Sequence, residues 1–218
     1  MANTLEECFT DIYKYDIWNM GQSESKSGLG STLDFTENIR STLINFIDNN
    51  SIRTMLDTSC GDWNWMRLIK DKLCNYTGID IVKDIVTTNN TSYANDHIQF
   101  IHDDFLHFIK NQPNNSYDLI LCRHTLEHLP TEYNLEFINE CKRVCKFLFV
   151  TTYNRDISNR NLEPNTSSPY RPINLKKVPY SVLEPYYYSQ FYDGSASIYH
   201  SEMYMNIYNF TSLNDITF

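Results

Sequence analysis

The stretch Met55–Met66 reads MLDTSCGDWNWM, and its acids are the first residues on which chemistry can be built. Asp57 and Asp62 flank a single glycine, Gly61. A strand-to-helix turn that cradles phosphate carries glycines and no carboxylates, because backbone N–H groups must approach the anion and an acid repels it. Two acids in a partly dry turn would disfavour a diphosphate by roughly several kcal/mol. The turn also lacks the G-x-G-x-x-G spacing, which argues against a dinucleotide oxidoreductase. Asp80 follows Asp57 by 23 positions and ends an apolar run. An acid in that place accepts hydrogen bonds from ribose hydroxyls. A ligand with a ribose, a cationic group and no phosphate suits both features, and S-adenosylmethionine has that composition.

Other candidates fall at comparable places. The chain has six glycines, at 21, 28, 30, 61, 78 and 194, so the N-terminal loop WNMGQSESKSGLGS and the first two strand ends hold five of them. Glycine marks tight turns and close approach of backbone to ligand. The pair Asp103–Asp104 follows a third apolar run, and Arg123–His124 a fourth. His124, at a strand end, is a candidate general base, with a packed histidine as the equal alternative. His128 reads better as a hydrogen-bonded packing residue. Between 154 and 180, Arg155, Arg160, Arg171, Lys176 and Lys177 face only Asp156 and Glu163. That stretch is either a solvated loop or a cover that meets an anionic or polyhydroxylated acceptor, with Arg171 as the orienting group.

These residues need a frame. Phe35, Ile39, Leu43, Phe46 and Ile47 recur at helical spacing, and Thr54–Leu56 form a short strand ending at Asp57. Trp65, Met66, Ile69 and Leu73 make a second helical face, with Asp62 as its N-cap. Tyr76–Val82, Ile98–Ile101, Tyr117–Cys122 and Phe147–Thr152 read as further strands, and the helices expected between them lie over Asp84–Tyr93, Phe105–Ile109 and the segment after Pro130. The alternation predicts an α/β, Rossmann-like doubly wound sheet, mostly parallel, with an antiparallel last strand over Ser201–Phe210. Ligands of such sheets sit outside the carboxyl ends of the strands, where all the acids above fall. Five of the seven prolines lie between Pro164 and Pro185, which predicts an ordered, extended segment. The cluster Tyr186–Tyr188 reads as sheet packing.

The bulk numbers agree with an enzyme of one domain. The 218 residues are 41% hydrophobic and 14% aromatic, enough for a core. The net charge of −9 argues against nucleic acid or an anionic membrane as partner, leaving a locally basic exception open. No signal sequence or membrane span is visible, and the six cysteines lack a CxxC pair or a metal-site spacing. The reading is a cytoplasmic, reducing location with free thiols and no metal. The expected divisions are a cofactor-covering segment over 1–34, a cofactor-binding core over 35–153, a substrate-covering insertion over 154–197 and a last strand over 198–218.

Taken in order, LDTSCGDWNWM, YTGIDIV, FIHDDF and DLILCRHTLEHL resemble the class I S-adenosylmethionine-dependent methyltransferases. More narrowly they resemble a branch with a D-x-x-C-G-D-x-x-W-M turn, an S-G-x-G-S loop (Ser27–Ser31) and an R-P-x-N-L segment (Arg171–Leu175). The resemblance spans nearly the whole chain. It implies that Asp57, Ser59 and Gly61 line the methionine and adenosine linkage. Asp80 would bind ribose, Ile81 would pack on adenine, and Asp104 with Phe105 would hold the adenine, Asp103 being a register alternative. Arg123 would lie beside the sulfonium, and Trp18, Ser27, Gly28 and Ser31 would close over the cofactor. Ser59 and Trp63 stand where the wider family often has glycine, and His124 where the branch has aspartate. The expected activity is methyl transfer to a small-molecule or glycan-type acceptor. An RNA or cap methyltransferase and a non-catalytic cofactor-binding scaffold are the alternatives. Asp57 as a mere helix cap and Asp80 as a surface turn residue are the structural ones.

Overall fold

Tyr117–Cys122, nearly all apolar, is a central strand. The computed structural model describes residues 4–154, 156, 158–162, 170–193 and 203–211. Among them β1 (Thr54–Asp57), β2 (Asn75–Asp80), β3 (Ile98–His102), β4 (Tyr117–Cys122), β5 (Cys145–Tyr153), β6 (Tyr187–Tyr192) and β7 (Met203–Asn209) form one sheet. Its order is β3-β2-β1-β4-β5-β7-β6. The first five strands pair in parallel, and β7 runs antiparallel between β5 and β6. Five helices accompany them: α1 (Leu5–Lys14), α2 (Glu37–Asn49), α3 (Lys83–Tyr93), α4 (Phe105–Lys110) and α5 (Thr131–Val144).

The period-2 alternation of β4 explains why both faces are covered. Leu119 and Leu121 join Ile39, Leu43 and Phe46 of α2 in one cluster. Ile120 and Cys122 join Phe137, Ile138 and Cys141 of α5 in the other. Strand order reverses at β1, whose neighbours are β2 and β4. That switch point opens a crevice at the carboxyl ends. Register places the acids there: Asp57 pairs with Gly78 and Leu121, and Asp80 with His102.

Three elements differ from expectation. The helix expected from Trp65 is a 3-10 turn over Met66–Lys72. Met66 and Ile69, three apart, share a face of the 3-10 turn, while Trp65, Ile69 and Leu73, four apart, follow the α-helical period; the Asp62 carboxylate is engaged by Ser25, Ser27 and the Lys26 N–H. The helix α1 was not expected; a capping box between Thr4 and Glu7 starts it. Finally, Tyr187–Tyr192 is an edge strand inside the segment expected to be an insertion. Arg155, Glu163, Pro164, Pro169, Gly194 and Ser201, on which parts of the reading rest, lie outside the described residues.

Candidate active site

The carboxyl ends of β1 to β4 open onto a cavity of about 940 Å³, the solvent at its mouth included. Asp57, Ser59 and Gly61 line it from the turn after β1, Asp80 and Ile81 from the end of β2, and Asp104 and Phe105 from the start of α4. Arg123 and His124 line it from the end of β4, and Trp18, Ser27 and Ser31 from the N-terminal loop. Gly28 and Arg171 are not among the lining residues.

The acids of the first two strand ends are buried. Asp57 accepts the Tyr76 hydroxyl at 2.8 Å, and burial pushes its carboxyl up to about 7, with the charge of Asp80 adding to the rise. The Tyr76 hydroxyl and the Ser59 N–H oppose that shift. Asp80 accepts the N–H groups of Val82 at 2.9 Å and Gly61 at 3.0 Å, and burial still pushes it up to about 6. Two acids held so close to neutral pH favour a cationic ligand that supplies the charge water cannot. Asp104 caps α4 through the N–H groups of Leu106 and His107 and accepts the Tyr133 hydroxyl. Asp103 lies outside the cavity, against His107 at 3.0 Å. Of the two, Asp104 is the one that lines the cavity.

The turn is welded to its cover. Gly61 has φ +53, and a Cβ there would collide with the Ser27 hydroxyl and crowd the Tyr13 hydroxyl at 3.1 Å. Trp63 also adopts a left-handed backbone, φ +56, in a position where glycine is at home, and its buried ring packs on Tyr76, Tyr93 and Phe100. Gly28, φ +89, caps the 3-10 turn Leu29–Ser31 and backs onto Trp18.

At the end of β4 the two neighbours point to different tasks. The Arg123 guanidinium forks onto Asp193 at 3.0–3.1 Å and lies over the rings of Trp65 and Phe35 at 5.6 and 5.9 Å. His124 is held at φ +54, a strained backbone for a non-glycine residue, and donates its N–H to Thr151 Oγ1 at 2.9 Å. Its Nδ1 is 3.7 Å from Glu127 Oε1 and its Nε2 3.6 Å from Asp193 Oδ2.

Arg171, read from the sequence as the group that orients the acceptor, is not among the residues lining the cavity. It is 2% exposed, donating to Leu129 O at 2.6 Å, Tyr180 Oη at 3.2 Å and Thr131 Oγ1 at 3.3 Å. A guanidinium so engaged braces the segment against the start of α5. Of its neighbours, Lys177 pairs with Asp156 at the surface, and Lys176 sits over the Tyr187 ring at 4.8 Å.

Sequence reasoning missed several lining residues. Leu5, Phe9 and Tyr13 of α1 recur every four positions, a signal that was readable, as was the Thr4-x-x-Glu7 capping box. Leu129, just before α5, and Tyr133, in its first turn, reach the cavity and left no sequence signal of that role. His128 also lines it, packed among Phe9, Trp18 and Tyr170.

Residues 56–147 match the family described as "Methyltransferase domain". No curated protein matches the chain. Among solved structures, 1,6-didemethyltoxoflavin-N1-methyltransferase of Burkholderia thailandensis, bound to 1,6-didemethyltoxoflavin and S-adenosylhomocysteine, is 10% identical with a TM-score of 0.65, covering 94% of this chain and 86% of its own. Magnesium protoporphyrin IX methyltransferase of Synechocystis, with S-adenosylmethionine bound, is 13% identical with a TM-score of 0.62, covering 95% and 99%. The methyltransferase domain of bacterial CtHen1 is 13% identical with a TM-score of 0.54, covering 78% and 96%. At these identities the likeness is one of fold. The domain match and the fold together define the class: an enzyme, an S-adenosylmethionine-dependent methyltransferase of Rossmann-like architecture.

Proposed function

We propose that the protein methylates a hydroxyl group of a small-molecule or glycan-type acceptor, with His124 as the base. The observation that carries this reading is His124 itself: a strained, cavity-lining imidazole at the end of β4 with a carboxylate near each ring nitrogen. A hydroxyl must lose its proton as it is methylated, and an imidazole flanked by acids is suited to take it.

The cavity fits the cofactor by its donor set. Asp57 would face the ammonium end and Asp80 the ribose hydroxyls, while Ile81 and Phe105 would enclose the adenine beside Asp104. Ser59 and Gly61 would follow the linkage between the two ends, under a cover of Trp18, Ser27 and Ser31. Gly28 would act one step removed, by seating Trp18, and Arg123 would wall the sulfonium end with its charge balanced by Asp193. The bound cofactor supplies an activated methyl group on a cationic sulfur. The chain's part is alignment, which can lower a barrier by about 7–11 kcal/mol when two groups are held in line.

A panel of hydroxylated acceptors, incubated with methyl-labelled cofactor and either the parent or His124→Ala, tests the assignment. Label should enter a hydroxyl of at least one acceptor and fall by about 100-fold or more in the variant. Undiminished turnover by His124→Ala would remove His124 as base.

A further inference from the structure

Glu127 is an acid for which the cofactor site has no use. It lies in the 3-10 turn Leu126–His128, is 1% exposed, and neither of its carboxylate oxygens has a hydrogen-bond partner among the described residues. A carboxylate sealed away from water without donors is uncommon and costly, so its retention calls for a reason. The nearest ring nitrogen is His124 Nδ1 at 3.7 Å.

The charged groups around it come from four elements. Its own backbone N–H, then Arg123, at the end of β4, and Arg171, from the segment before the 3-10 turn Tyr180–Tyr186, act to hold its proton affinity down. Asp193, after β6, raises it, and burial raises it most, to about 7. Tyr153 of β5 lies within its field, and Glu127 pushes that hydroxyl upward. The two acids beside His124 differ in one respect. The charge of Asp193 is matched by the Arg123 fork at 3.0–3.1 Å, while Glu127 has no cation in contact among the described residues. Glu127 is thus the acid whose charge is available to a new cation.

We propose that Glu127 is a positioning residue for proton removal from the acceptor: its sealed carboxylate, 3.7 Å from His124 Nδ1, stabilises the imidazolium formed there, with Asp193, 3.6 Å from Nε2, adding to the field. The inference rests on the reading of His124 as the base. In the step, the acceptor O–H bond breaks and its proton joins Nδ1. The oxygen's electron pair forms the bond to the methyl carbon as the carbon–sulfur bond breaks, its pair remaining on sulfur. The side chain of His124 is 25% exposed, so the proton can pass on to water once product leaves.

The test needs no acceptor. The titration of His124 is followed by NMR of its Cε1–H on the full chain, saturated with S-adenosylhomocysteine, in the parent, Glu127→Gln and Glu127→Asp. S-adenosylhomocysteine affinity reports that each variant is folded. The midpoint should fall by about one pH unit, tenfold in proton affinity, in Glu127→Gln, and by less in Glu127→Asp, which withdraws the carboxylate by one methylene. An unchanged midpoint in folded Glu127→Gln would overturn the proposal. If that variant loses S-adenosylhomocysteine binding, an unchanged midpoint in Glu127→Asp overturns it instead. Failure of the base reading is separable: it shows as full turnover by His124→Ala, whereas failure of Glu127 alone shows as a parent-like midpoint with His124 still required.

Discussion

At the scale of single residues, the site is a problem of buried charge. Asp57 and Asp80 sit near 7 and 6 because burial disfavours their ionised forms. Both are raised above their unfolded values, so the native state holds protons that the unfolded chain releases between about pH 4 and pH 7. The free protein should therefore lose stability from these two acids as pH rises through that window. A nucleoside that brings an ammonium group to Asp57 and ribose hydroxyls to Asp80, as S-adenosylhomocysteine does, reverses the sign, since it binds the ionised forms. The gain in melting temperature on adding S-adenosylhomocysteine should grow from pH 5 to pH 8, and binding at pH 7 should release protons, measurable by calorimetry in buffers of different ionisation enthalpy. A flat profile would contradict the assignment. Tyr76→Phe removes a donor from Asp57. It should weaken S-adenosylhomocysteine binding at pH 7 by about fivefold to tenfold, with recovery at higher pH as the acid ionises.

At the scale of elements, the cavity has a floor of strand ends and a roof made by α1 and the loop after it. The two are joined at Gly61, where Ser27 and Tyr13 close on the turn, and at Asp62, whose carboxylate holds Ser25, Lys26 and Ser27. Gly61→Ala should displace the roof. The expected result is S-adenosylhomocysteine affinity reduced by about 30-fold or more with the far-UV spectrum of the parent, because a left-handed site with no room penalises any Cβ. Near-parent affinity would mean that the roof does not rest on this contact.

This scale also shows what the sequence made legible. The β1 and β4 ends could be read from apolar runs stopping at Asp57 and Cys122, since parallel strands buried on both faces leave that pattern, whereas the second strand was expected to reach Val82 and ends at Asp80, whose carboxylate accepts the Val82 N–H. Asp104 was readable only as one of a pair, because choosing between it and Asp103 depends on which caps α4. The role of Arg171 was not legible: its charge suggests a ligand, and burial against Leu129 and Tyr180 is a tertiary fact. Glu127 left no mark, because nothing in LEHL shows that its carboxylate is sealed. The 3-10 turn over Met66–Lys72 was misread because Trp65, Ile69 and Leu73, four apart, follow the α-helical period, and so few apolar residues do not separate the two helix types.

At the scale of the whole molecule, charge and architecture limit the partners. A chain of net charge −9, with Arg171 buried and Lys177 paired with Asp156, offers little to a phosphate backbone. Single-stranded RNA should show no measurable complex even at about 50 mM salt, where phosphate contacts are strongest. Among the described residues no helix is long and apolar enough to cross a membrane. The sheet brings Asp57 and Asp80 to adjacent strand ends through the β1–β2 pairing, and that juxtaposition is the basis of the functional reading. Its most direct test is calorimetric titration of the full chain with S-adenosylhomocysteine, in the parent and in Asp80→Ala. The account predicts one site in the parent and affinity at least about 30-fold weaker in the variant, the loss of two hydrogen bonds to a charged acceptor. Equal affinity in the two proteins, or no binding to the parent, would contradict it.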